Sequence, residues 1–180
     1  MGYYGLWNEN SDLSKVPQYF AVNTISYVNI ATLLLPGLQR TNGSIVVVSS
    51  LAGVIPAPKS ATYAGNKHAL HGFFGSLRQD LALQGHGGIS LTLCVLGLIG
   101  TENARERSKG HQIQNVAVQW EQVDDCALAI IKGAALRKRE IYFPRYISIV
   151  ETMHFFFPNF AESAIQVISD EKPLQDIWKW

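Results

Sequence analysis

The amino-acid sequence predicts an α/β fold built on a parallel sheet. Two long segments with helical apolar spacing, about residues 17–39 and 60–84, alternate with short apolar runs at 44–49 and 89–96. A further helix-then-strand pair follows at about 121–138 and 141–143. Strands separated by helices need crossover connections, which lay parallel strands side by side.

Residues before about 15 are aromatic, polar and turn-rich, with Ser14 as a candidate helix cap and Pro17 in the first turn. The helix that follows is apolar around most of its circumference, which predicts burial between a sheet and a second layer. Pro36 is expected to kink or fray its last turn. Thr41-Asn42-Gly43 reads as a turn into the first strand, and the 51–59 stretch, holding Gly53, Pro56 and Pro58, as a loop. The second long helix ends at the glycine cluster Gly85-His86-Gly87-Gly88. Residues 97–117 form a long polar loop of the kind that folds over ligands. In the 121–138 helix, Cys126, Ala127, Ile130, Ile131 and Ala134 make the inward face. Tyr142 and Phe143 precede Pro144, which closes the last short strand.

A chain of 180 residues suits a single domain with a real core. Hydrophobic residues make up 47%, charged residues 16%, and the net charge is +1, so the balance points to no nucleic-acid partner. The short Arg137-Lys138-Arg139 cluster reads as a basic last turn complementing a helix dipole. Cys94 and Cys126 fall inside apolar patterns as buried free thiols, with no metal or disulfide spacing. The histidines His68, His71, His86, His111 and His154 show no ligand spacing and are assigned surface or cap roles. The amino terminus has no signal-peptide pattern, and no stretch is read as long enough for a transmembrane helix.

The chemistry concentrates between Ser49 and Lys67. The strand ends in Ser49-Ser50, emerging where open parallel sheets keep their sites. Tyr63 and Lys67 then lie one helical turn apart and face the same way. A free phenol, with a pKa near 10, is a poor base at neutral pH. An ammonium about 5 Å away, at an effective dielectric of about 20, favours the phenolate by roughly 3 kcal/mol. Ser50 can hydrogen-bond a substrate oxygen and steady the charge developing there. No histidine or carboxylate is placed in the sequence to turn Ser50 into a nucleophile. A Tyr-x-x-x-Lys pair alone is common on amphipathic helices, and a Ser-Ser pair alone is common in turns. Their combination, behind an apolar strand, is what points to acid–base work on an alcohol or carbonyl.

The constellation resembles the short-chain dehydrogenase/reductases, from about residue 23 to 142. The wording 42–53 (NGSIVVVSSLAG), with Ala69-Leu70-His71-Gly72-Phe73-Phe74 and Leu93-Cys94-Val95-Leu96-Gly97-Leu98-Ile99, is closest to the 11-beta-hydroxysteroid dehydrogenase type 1 and type 1-like group. The resemblance implies the carboxyl-terminal part of a Rossmann-like three-layer sandwich. Residues 1–145 would be its catalytic part and 146–180 an aromatic tail of the same domain. It implies Tyr63 as proton donor/acceptor, Lys67 holding the nicotinamide ribose, and Ser50 orienting the substrate oxygen. Asn23, which by itself reads as a buried satisfied polar group, would retain a water linking Lys67 to solvent. Ile99 and Thr101 would contact the nicotinamide amide and a nearby phosphate. The cofactor implied is NADP(H), with NAD not excluded.

The resemblance further implies a steroid-like or other lipophilic substrate, a homodimer through the two long helices, and residence in the endoplasmic reticulum. Asn42-Gly43-Ser44 is a glycosylation sequon that would suit a luminal enzyme, although Asn-Gly is first of all a turn. Ala57 stands where glucocorticoid-type enzymes place an aromatic, which widens the expected pocket. The sequence contains no Gly-x-x-x-Gly-x-Gly segment after a strand, the feature that cradles a dinucleotide pyrophosphate. It therefore reads as a fragment or alternative product that starts after the family's fourth strand. The competing reading is a non-catalytic module that keeps the dimerisation helices and lacks the cofactor site. The aromatics Phe155-Phe156-Phe157 and Trp178-Lys179-Trp180 either cap the core or form a lid, a dimer contact or a patch resting on a membrane.

Overall fold

The computed structural model describes residues 5–108 and 120–169. The end of the predicted polar loop and the Trp178–Trp180 aromatics lie outside the described residues. Three strands, β1 (Ser44–Val48), β2 (Ser90–Leu96) and β3 (Glu140–Phe143), form a parallel sheet in the order β1-β2-β3. Ser44 pairs with Ser90 and Val48 with Cys94, while Leu93 pairs with Glu140 and Leu96 with Phe143. The alternating pattern and the parallel pairing agree with the expected fold class.

The helices are α1 (Val16–Phe20), α2 (Ser26–Thr41), α3 (Ala61–Leu83), α4 (Glu102–Ser108), α5 (Val123–Ala135), α6 (Ile147–Phe156) and α7 (Pro158–Ser169). On one face of the sheet, Val47, Leu91 and Leu93 pack with Ala31 of α2 and Leu70 and Phe74 of α3. On the other face α5 covers β2 and β3. It approaches closely because Gly133 lies directly over Ile141, where a Cβ would collide with the Ile141 side chain. Nothing among the described residues covers the same face of β1, and Val46 and Val48 are exposed there.

Several expectations need correction. The first helical run is continuous from Leu13 to Thr41, interrupted by a π-helical turn at Ala21–Ile25. Pro36 lies inside α2, which runs on to Thr41. The run is long and apolar enough to cross a membrane by length and composition, contrary to the expectation that no stretch would be. It is not buried on both sides either. Ala31 and Thr24 face the core, whereas Ile30, Leu33 and Leu34 point outward, Leu33 with 79% of its surface exposed. The apolar residues cover more of the circumference than the single layer beneath can bury.

On α5, Cys126 and Gly133 are buried, but Ala127 and Ile131 face outward, because the helix is set by its contact over Ile141. The predicted loop after β2 contains α4. Arg137 does not serve the dipole of α5. It adopts a left-handed backbone and donates to the carbonyls of Gly88 and Asn42 at 2.7 and 2.6 Å, tying the starts of the strands together. Asn42, also left-handed, caps α2 and makes the predicted turn. Both thiols are buried, and desolvation pushes Cys94 up to about 11.

Candidate active site

The carboxyl end of β1 carries the site. Val48 is its last paired residue, and Ser49 still donates its N–H to the Cys94 carbonyl at 2.9 Å. At Ser50 the chain leaves the sheet in extended backbone. The Ser50 Oγ accepts the Ala52 N–H at 3.2 Å and caps the 3₁₀ turn Leu51–Gly53. The hydroxyl is half-buried and keeps its own proton to donate.

Helix α3 begins after Ser60, whose Oγ donates to the Ala57 carbonyl at 2.8 Å. Its first two turns present Tyr63 and Lys67 to the same side. The Lys67 Nζ sits 5.8 Å from the Tyr63 ring centroid and the same distance from the ring of Tyr27 on α2. It donates to the Val48 carbonyl at 3.1 Å, two residues before Ser50. Lys67 is only 8% exposed, and desolvation pulls its pKa below the ordinary lysine range. An ammonium has three donors, so one bond to Val48 leaves two for other acceptors. Helical spacing sets the Lys67 ammonium beside the Tyr63 ring, and its bond to Val48 ties that turn to the strand end that leads into Ser50.

Asn23 lies in the π-helical turn, where its Nδ2 donates to the Tyr19 carbonyl at 2.9 Å. Such turns widen a helix locally and re-aim its side chains. The next residue fixes the turn against α3. Thr24 Oγ1 donates to Asn66 Oδ1 at 2.9 Å, and Asn66 Nδ2 donates to the Thr62 carbonyl at 2.6 Å. Asn66, immediately before Lys67, is fully buried.

Ile99 and Thr101 follow β2. Ile99 makes a parallel bridge with Glu121, and Thr101 Oγ1 accepts the Ala104 N–H at 3.2 Å as a cap for α4. They lie beyond the carboxyl end of the middle strand.

Sequence reading missed four participants. Tyr27 supplies a second ring beside the Lys67 ammonium, and its position one turn after Asn23 was the available signal. The Thr24–Asn66 pair carried no signal, being a contact between helices far apart in sequence. His71, assigned a surface or cap role, is instead half-buried, with Nε2 2.9 Å from the Ser49 Oγ. Burial holds its pKa below the ordinary histidine value.

The short chain dehydrogenase family model matches residues 7–112. The chain belongs to the short-chain dehydrogenase family. It is 40% identical over 156 residues to the hydroxysteroid 11-beta-dehydrogenase 1-like protein of Gallus gallus, covering 87% of this chain and 52% of that protein. The protein of the same name from Xenopus tropicalis is 36% identical over 91% of this chain and 54% of its own length. The chain therefore spans about half the length of these curated relatives. Its fold matches a short chain dehydrogenase from Burkholderia cenocepacia J2315, solved in complex with NADP, with a TM-score of 0.72 at 20% identity. That match covers 96% of this chain and 67% of the other.

Proposed function

We propose that this chain is the catalytic part of an NADP(H)-dependent oxidoreductase that interconverts hydroxyl and carbonyl groups on a steroid-like or other lipophilic substrate. One observation supports it above the rest. The Lys67 ammonium lies beside the Tyr63 ring while anchored on the Val48 carbonyl, two residues from Ser50.

In this reading Tyr63 gives its phenolic proton to the substrate oxygen during reduction and takes one back during oxidation. Lys67 favours the phenolate and stabilises the charge on that oxygen, and Ser50 hydrogen-bonds it. Asn23 retains a water leading from Lys67 to solvent. The nicotinamide half of the cofactor suits the residues present, because the buried ammonium has donors left for ribose hydroxyls and Ile99 and Thr101 lie past the end of β2. When bound, the cofactor supplies or accepts the hydride. The sequence contains no Gly-x-x-x-Gly-x-Gly segment of the kind that cradles a pyrophosphate. The curated relatives' printed name favours a hydroxysteroid among lipophilic substrates. The exposed Phe155, Phe156, Phe157 and Phe160 support contact with a membrane, in keeping with an enzyme of the endoplasmic reticulum.

A panel of hydroxysteroids and ketosteroids, assayed with NADPH and NADH, tests the reading. Turnover that prefers NADPH is expected, and no turnover with any member contradicts it.

A second reading is a non-catalytic module that pairs with other subunits through α2 and α3. The outward Ile30, Leu33 and Leu34 favour it. Equilibrium dialysis discriminates: micromolar NADPH binding by the chain contradicts the module. Sedimentation of Leu33→Glu beside the parent chain tests the self-pairing, which should weaken.

A further inference from the structure

We propose that Ser49 and His71 form a part-buried positioning pair that locks the strand end carrying Ser50 to the helical turn carrying Lys67. Its consequence for catalysis rests on the dehydrogenase reading above.

Three elements converge on the pair. From β1, Ser49 is the last residue bonded to β2, flanked by Val48, which accepts the Lys67 ammonium, and by Ser50. From α3, His71 stands one turn beyond Lys67 and two beyond Tyr63, in a single column of the helix. From the 3₁₀ turn, Gly53 lies over both. A Cβ there would fall 2.7 Å from the Ser49 Oγ, 2.9 Å from the His71 Cδ2 and 3.0 Å from the Lys67 carbonyl oxygen.

Ser49 is 4% exposed, so it offers no nucleophile to an outside substrate. Its 2.9 Å contact with the imidazole joins the two elements by side chains, in addition to the Lys67–Val48 bond. The charged and titratable groups facing the imidazole are Lys67 and His68 from α3 and Glu140 from β3. Burial keeps the ring neutral at pH 7, and a neutral imidazole completes the bond as donor or as acceptor. If the pair slips, the Val48 carbonyl and Ser50 move relative to Lys67.

Two readouts test the pair. The first needs neither cofactor nor turnover: histidine-ring and lysine-amine NMR of the 180-residue chain. Ser49→Ala and His71→Leu should each shift the Lys67 amine signal, and His71→Gln, which can replace the Nε2 contact, should restore it. A Lys67 signal unmoved by Ser49→Ala and His71→Leu overturns the pair.

The second readout is steady-state kinetics. Ser49→Ala and His71→Leu should each lower kcat by about tenfold with KM little changed. The double variant should be no worse than the poorer single one, and His71→Gln should recover most of the rate. Losses that multiply in the double variant overturn the proposal. If the unaltered chain turns nothing over, the dehydrogenase reading fails while the NMR readout still decides the pair.

Discussion

The Lys67 ammonium donates to the Val48 carbonyl across 3.1 Å, so the helix that carries the phenol and the strand that delivers the serine share one charged hydrogen bond. Burying an ammonium costs free energy unless its donors are satisfied. The site keeps it because a carbonyl accepts from it and two aromatic rings flank it at 5.8 Å.

The lowered Lys67 pKa has a consequence for stability. Between its native value and the ordinary 10.5, the unfolded chain binds the proton that the native one releases. Stability from this residue therefore rises with pH through that window. Chemical unfolding of the chain and of Lys67→Met, compared at neutral and alkaline pH, should show the rise in the parent alone. Subtracting the variant removes the opposing contribution of the buried thiols.

Thr24 ties the π-helical turn to α3 through the fully buried Asn66. Thr24→Val keeps the shape and removes the donor, leaving the Asn66 oxygen without it. The cost should be about 1–3 kcal/mol in urea unfolding. Asn23 should lose its fixed orientation along with it, seen as altered side-chain amide signals.

Below about pH 6.5 the unfolded chain protonates His71 before the native one does, because burial disfavours the imidazolium. Native stability from this group is whole above that value and declines as pH falls toward the lower native pKa. Unfolding of the parent and of His71→Gln at pH 7.5 and pH 5.5, values chosen to span about one unit either side of the free histidine value, should give a smaller drop for the variant.

Gly53→Ala places a methyl against the Ser49 hydroxyl, the His71 ring and the Lys67 carbonyl. The backbone carbonyl has little room to give, so the substitution should cost about 1–3 kcal/mol. It should also lower kcat more than it raises KM. Thermal melts and steady-state kinetics check the two effects separately.

Local patterns made much of this legible in the sequence. The apolar runs gave each strand to within a residue, and the four-residue spacing put Tyr63 and Lys67 on one face. What stayed hidden depends on distant contacts. Nothing local marks His71 as the partner of Ser49, or Thr24 as the partner of Asn66, because each pair joins different elements. The outward face of α2 was misjudged for a related reason: apolar circumference says what a helix could bury, while the neighbouring layers decide what it does bury. The same holds for Ile131 on α5, where close packing of Gly133 on Ile141 sets the rotation.

The most direct test follows a deuterium label from the reduced nicotinamide C4 of NADPH to a ketosteroid, in the parent chain and in Tyr63→Phe, with NADPH binding measured for both. The parent should place the label on the carbinol carbon, while Tyr63→Phe binds NADPH equally well and transfers almost none. Label transfer by Tyr63→Phe at the parent's rate would show that the proton does not come from this phenol.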